Sequence, residues 1–131
     1  MKVLWLLPEW IFPANTGLRI DSYCLIRNLA RMVDCNLVGL NLSPTRAEIA
    51  RLFPAKLLGS FPSSRDLMFR FRQVKHFLRC EPISLARFHC AELKGAVERL
   101  CEEHDIVCYD TLNMAPYMYC GRASVLWVRD A

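Results

Sequence analysis

Apolar positions along this chain follow two rhythms. Val3-Leu4-Trp5-Leu6-Leu7, entered through Lys2, is a short apolar run without alternation that breaks at Pro8. Such a run predicts a strand buried on both faces. The loop over residues 8–17, punctuated by Pro8 and Pro13, leads into Leu18–Val33. There Ile20, Tyr23, Cys24, Ile26, Leu29, Ala30 and Val33 recur close to a 3.6-residue period, which predicts a helix.

The same alternation continues. Asn36–Leu42 reads as a second strand, and Pro44-Thr45 opens a helix over Arg46–Phe53, with proline where a missing N–H costs little. Ala55–Phe61 supplies a short third strand. Ser63 or Ser64 is placed to cap a longer helix reaching about Arg79, which Pro82 interrupts. After the connector Ser84–Phe88, Ala91–Glu103 is an amphipathic helix, Asp105–Tyr109 a fourth strand and Ser124–Val128 a fifth. Strands alternating with helices predict an α/β fold: a doubly wound parallel sheet of about five strands joined by right-handed crossovers.

Length and composition narrow the class. With 131 residues, 53% hydrophobic and 23% charged, the chain suits one globular domain. A net charge of +4 is too small to argue for nucleic acid. Charge is unevenly spread, however: Arg65, Arg70, Arg72, Lys75 and Arg79 crowd one segment, and Glu92, Glu98, Glu102, Glu103 and Asp105 another. The seven cysteines form no C-x-x-C pair, so neither a disulfide framework nor a zinc site is indicated. They read as reduced, mostly buried thiols of a cytoplasmic protein. No apolar stretch approaches membrane-spanning length, and the N-terminal run is too short for a signal-peptide core.

Three segments carry candidate chemistry. In Pro13-Ala14-Asn15-Thr16-Gly17-Leu18-Arg19, Gly17 would let backbone approach a ligand, and Arg19 at the helix start would meet a phosphate or hydroxyl; the plainer reading is an ordinary strand-to-helix turn. A single glycine makes this neither a dinucleotide fingerprint nor a P-loop. In the loop after the fourth strand, Asp110 sits where open α/β sheets present catalytic groups, as a general base toward a hydroxyl or as a helix cap shared with Thr111. Asn113 and Tyr117 add hydrogen-bonding groups to that loop. In the third segment, Arg70, Arg72 and Lys75 interleave with aromatics, so the helix could lie on an anionic membrane surface or meet a phosphorylated or lipid-linked substrate. The alternative is a solvated basic face above a core-facing Leu67/Phe71/Val74/Leu78 stripe. His76, His89 and His104 have no metal-ligand spacing, and no metal is expected.

Taken together, these pieces resemble family 4-like glycosyltransferases of the GT-B fold. The opening MKVLWLLPEWIFPANTGLRIDSYCLIRNLARMV resembles the start of their N-terminal domain. FLRCEPISLARFHCAELKGAVERL, DIVCYDTLNMAPYM and SVLWVRDA resemble later segments of it in the same order. The resemblance implies a Rossmann-like, acceptor-side domain that transfers a sugar from a nucleotide-sugar to a cell-surface or lipid-linked acceptor, with no bound metal or other cofactor. By position it places Gly17 in a loop facing donor phosphates and acceptor, Arg19 at the adjoining helix, and Asp110 at the catalytic position of the cleft. The chain ends before such a domain would normally be complete and without the donor-binding domain. It is therefore expected to be inactive alone, to self-associate through uncovered sheet or cleft surface, and to touch the inner membrane face peripherally. The runner-up is a non-catalytic α/β module binding a partner or membrane through its basic helix. A flavodoxin-like protein fits less well, because no Ser/Thr/Gly-rich flavin-phosphate loop is present.

Overall fold

In the computed structural model, residues 1–63, 68–119 and 121–128 are described. Among them, β1 (Lys2–Leu7), β2 (Asp34–Leu40), β3 (Lys56–Phe61), β4 (Ile106–Asp110) and β5 (Ala123–Trp127) form an all-parallel sheet in the order β3-β2-β1-β4-β5. The chain builds outward from β1 to β3, then returns to the other side of β1 to lay down β4 and β5. That reversal opens a crevice at the carboxyl ends of β1 and β4, where open α/β sheets bind ligands.

β1 explains the layering. Its side chains alternate between two cores: Val3, Trp5 and Leu7 pack with Ile26, Ala30, Leu52 and Ala55 on one face. Leu4 and Leu6 pack with Leu93, Val97, Cys101, Met114 and Tyr117 on the other. The first face is covered by α1 (Gly17–Leu29) and by Leu42, Leu52 and Ala55, which flank the short helix α2 (Arg46–Arg51), and the second by α4 (Ala91–Glu102) with a 3-10 segment at Leu112–Tyr117. A strand buried on both sides has no polar face to alternate with, which is why its sequence is continuously apolar. At its end Gly39 of β2 lies beside Leu7, and any Cβ there would collide with the Leu7 backbone carbonyl.

Local signals account for several element ends. Thr45 caps α2 through a capping box: its hydroxyl accepts from the Glu48 N–H at 3.2 Å, and Glu48 accepts from the Thr45 N–H at 2.6 Å. Those bonds hold the Glu48 carboxyl below its ordinary range, the Thr45 backbone N–H being the main cause. His104 and Asn36 form a buried polar pair under α4. The His104 Nδ1–H donates to the Leu100 carbonyl at 2.6 Å, so Nε2 accepts from Asn36 Nδ2 at 2.9 Å.

The basic segment departs from the expected orientation. α3 (Met68–Leu78) leaves Phe71, Val74 and Leu78 exposed at 70%, 57% and 75%. The proposed core stripe therefore faces solvent; its first member, Leu67, lies outside the described residues. The half-buried side of α3 is instead Phe69, Arg72, Gln73 and His76, laid against a 3-10 segment at Ile83–Phe88. The sheet face on this side is already filled by α4 and the second 3-10 segment, and no described residue of α3 joins that core. Left in an outer layer, α3 packs through the long stems of polar residues. Ser63 does not cap this helix: its hydroxyl accepts from Asn41 Nδ2 at 2.7 Å and its N–H donates to Asn41 Oδ1 at 3.0 Å. The alternative cap, Ser64, is outside the described residues.

Of the described cysteines, Cys35, Cys90, Cys101 and Cys108 are buried, while Cys24 and Cys80 are exposed. Burial pushes the Cys35 thiol up to about 12 and Cys108 to about 11, so both are unreactive thiols at neutral pH. No helix among the described residues is long and apolar enough to cross a membrane.

Candidate functional site

A cavity of about 210 Å³ opens at the crevice between β1 and β4. Pro8, Glu9 and Ile11 after β1 form one wall, Leu18, Arg19 and Ser22 of α1 another. Asn41 and Ser63, from the ends of β2 and β3, meet Asp110, Thr111 and Asn113 after β4 across the opening. Arg87 and Phe88 of the first 3-10 segment close the remaining side.

Asp110 is the most distinctive group. It is 3% exposed at the last position of β4. The Ser22 hydroxyl stands 3.2 and 3.1 Å from its two carboxylate oxygens and also 3.1 Å from the Leu18 carbonyl. Ser22 thus links the carboxylate to the first turn of α1 and fixes which way it points. Helix-cap duty falls on the next residue: the Thr111 hydroxyl accepts from the Asn113 N–H at 3.3 Å.

The backbone here is strained. Thr111 has φ 75° and ψ 160°, a region nearly closed to a β-branched residue and worth about 1–3 kcal/mol of strain. Its N–H donates to the Trp127 carbonyl at 3.0 Å and its own carbonyl accepts from the Met114 N–H at 3.1 Å, so both flanks hold it in place. Asn41, also in the left-handed region with φ 49°, lines the same cavity. Asparagine tolerates that conformation far better than threonine. The loop after β1 is tied down from outside, as Trp10 Nε1 donates to Glu48 Oε2 at 3.2 Å.

The candidate residues from the sequence separate into those the fold assembles and those it does not. Asp110, Arg19 and Asn113 share the cavity. Arg19 is engaged by Glu9, with Nε and Nη2 at 3.1 and 3.0 Å from Glu9 Oε1, so it presents an ion pair to the cavity. Gly17 does not line it, and a Cβ at Gly17 would meet nothing within 4 Å, so no close backbone approach depends on that glycine. Tyr117 turns away: it is buried in the second core, and its hydroxyl donates to the Phe88 carbonyl. Arg72 and Lys75 line a different cavity, and Arg70 lies on the outward side of α3. Ser22, Asn41, Ser63 and Arg87 complete the site. Their sequence signal is weak: Ser22 is a polar residue on an apolar helix face, Asn41 reads as part of the second strand, Ser63 as a helix cap, and Arg87 lies in a connector that shows no period.

Among the described residues, no group of three His, Cys, Asp or Glu is placed to hold a metal ion. The cavity offers one buried carboxylate, an arginine–glutamate pair, a further arginine and several hydroxyl and amide groups. That set suits a small ligand rich in hydroxyls, with one carboxylate placed to accept a proton or hydrogen bond. No family model, no curated protein and no solved structure matches the chain.

Proposed function

We propose that this chain is the acceptor-side domain of a glycosyltransferase, receiving a hydroxyl of a glycan or lipid-linked acceptor in the cavity between β1 and β4. The observation that carries this reading is the buried Asp110 carboxylate at the switch point of the sheet, oriented by Ser22. In the proposed chemistry Asp110 accepts the hydrogen bond of the acceptor hydroxyl and takes its proton as the bond to the sugar forms. Asn113 and Asn41 bind neighbouring hydroxyls, and Arg87 faces negative charge developing on the leaving diphosphate. The nucleotide-sugar is held by a second domain and no metal is required. Ligand-detected NMR with alkyl glycosides tests the acceptor side directly. Binding that weakens about ten-fold in Asp110→Ala, with the fold intact by circular dichroism, supports the reading. Equal binding in that variant, or none in the wild-type chain, rejects it.

A second reading, a module that docks on membrane surfaces, is favoured by the outward side of α3. There Phe71, Val74, Phe77 and Leu78 are exposed beside Arg70. It predicts co-sedimentation with anionic vesicles that falls with salt and with Arg70→Ala or Phe71→Ser.

A further inference from the structure

A second cavity, of about 230 Å³, lies between α3, the first 3-10 segment and α4. Arg72 and Lys75 reach it from α3, Arg79 from just beyond the end of that helix, and Lys94 from the first turn of α4. His76 and His89 add two imidazoles, and Tyr117 and Pro116 belong to its lining. Among the described residues of this lining Glu81 is the acid, and it lies beside His76, with Nδ1 2.6 Å from Oε2. Glu92, the next acid along α4, accepts a hydrogen bond from Cys90 Sγ at 3.2 Å.

Gathering these cations is unfavourable by itself. Arg72/Lys75 and Lys75/Arg79 are like-charge pairs at helical spacings i,i+3 and i,i+4, which weaken a helix. The His89 ring responds to the resulting potential. Partial burial holds it below its ordinary range, and Arg72, His76, Lys75 and Lys94 all push the same way. The cations come from separate elements and meet across one concave surface, the arrangement in which a compact polyanion gains most.

We propose that this cavity is a binding site for a phosphoryl group, a phosphate monoester or diphosphate, held by Lys75, Arg79 and Lys94 with Arg72 and His89 at its margin. The site is separate from the Asp110 cavity and does not rest on the sugar-transfer reading. The phosphoryl group could belong to a soluble ligand or to a lipid headgroup, since the outward apolar side of α3 lies on the same helix.

Isothermal titration with inorganic pyrophosphate is the test. Binding to the 131-residue chain is expected, weakening with added salt and at least about ten-fold in Lys75→Gln and in Lys94→Gln. Lys94 is exposed on α4, so its replacement serves if changes on α3 disturb the fold. Asp110→Ala should leave pyrophosphate affinity unchanged, which separates this site from the cleft. Pyrophosphate that fails to bind, or that binds both lysine variants as tightly as the wild-type chain, overturns the proposal. A parallel arm uses vesicles of phosphatidylcholine with and without phosphatidic acid. Capture that needs phosphatidic acid, Lys75 and Lys94 supports the site with a lipid headgroup as the source. Pyrophosphate binding without such capture supports it with a soluble phosphoryl ligand.

Discussion

The two cavities are nearly equal in volume, about 210 and 230 Å³, yet they are built on opposite principles. The cleft at β1 and β4 stands on strand ends locked by both cores, and several of its polar groups pair with each other: Arg19 with Glu9, Asn41 with Ser63, Ser22 with Asp110. The basic cavity stands on an outer-layer helix and, among its described lining residues, brings like charges together with Glu81 beside His76. Internal pairing leaves a site polar without strong net potential, suited to hydroxyls. Accumulated like charge leaves a site that is stabilised by whatever anion enters it.

The scaffold of the cleft should be the harder of the two to perturb without unfolding. Gly39→Val drives a side chain into the Leu7 carbonyl at the point where β1 and β2 end, and is expected to cost about 3 kcal/mol or more in urea unfolding. A substitution tolerated at no cost would mean that the cleft wall is not rigid. Next in size, a double-mutant cycle of Ser22→Ala and Asp110→Ala should give a coupling energy of about 1–2 kcal/mol, as for a buried side-chain hydrogen bond. Additivity would show that Ser22 does not orient the carboxylate.

Single-charge changes should then act with opposite sign in the two regions. Arg19→Gln removes an attractive, solvent-facing pair and is expected to destabilise by less than about 1 kcal/mol. Lys75→Gln relieves like-charge neighbours on α3 and is expected to stabilise slightly, by about 0.3 kcal/mol at low salt. Thermal melts of both variants at low and high salt check this, and shifts of the same sign would erase the distinction.

The smallest effect concerns pH. The folded-state pKa of His89 is lowered, so the unfolded chain binds its proton more readily. Stability is therefore complete above the ordinary value of 6.5 and falls as pH drops through it toward the folded value. His89→Gln should flatten that part of the pH–stability curve, and pyrophosphate should offset the loss in the wild-type chain. An unchanged curve in the variant would place the acid sensitivity elsewhere.

How much of this was legible beforehand depends on the range of the interaction involved. The apolar run at Val3–Leu7, the period of α1 and the Thr45 cap each depend on neighbours within a few positions, so the order of strands and helices could be read directly. Asp110 was legible for the same reason, because a residue that ends a buried strand in this topology must emerge at the ligand edge of the sheet. Tyr117 and Gly17 fall outside the cleft lining, because loop membership does not say which residues face the cavity. Tyr117 was claimed by the second core, where burial pushes its phenol pKa up. Arg87 was overlooked because its segment carries no period, although the chain folds it back over the cleft.

α3 marks the boundary most clearly. Its composition and helical form follow from sequence, but its orientation depends on what had already filled the sheet face beneath it. Hydrophobic periodicity describes a helix's preference for being buried, not whether a site is vacant. With Leu93, Val97, Met114 and Tyr117 occupying that face, the apolar side of α3 stayed in solvent with Arg70, while Arg72 and Lys75 turned into the cavity that Lys94 of α4 also lines. The sequence by itself determined the elements, their order and the carboxylate at the switch point, all consequences of local pattern and chain connectivity. Which polar residues meet across the cleft, and that a basic cavity exists, were decided by tertiary packing, because those contacts join positions far apart in the chain.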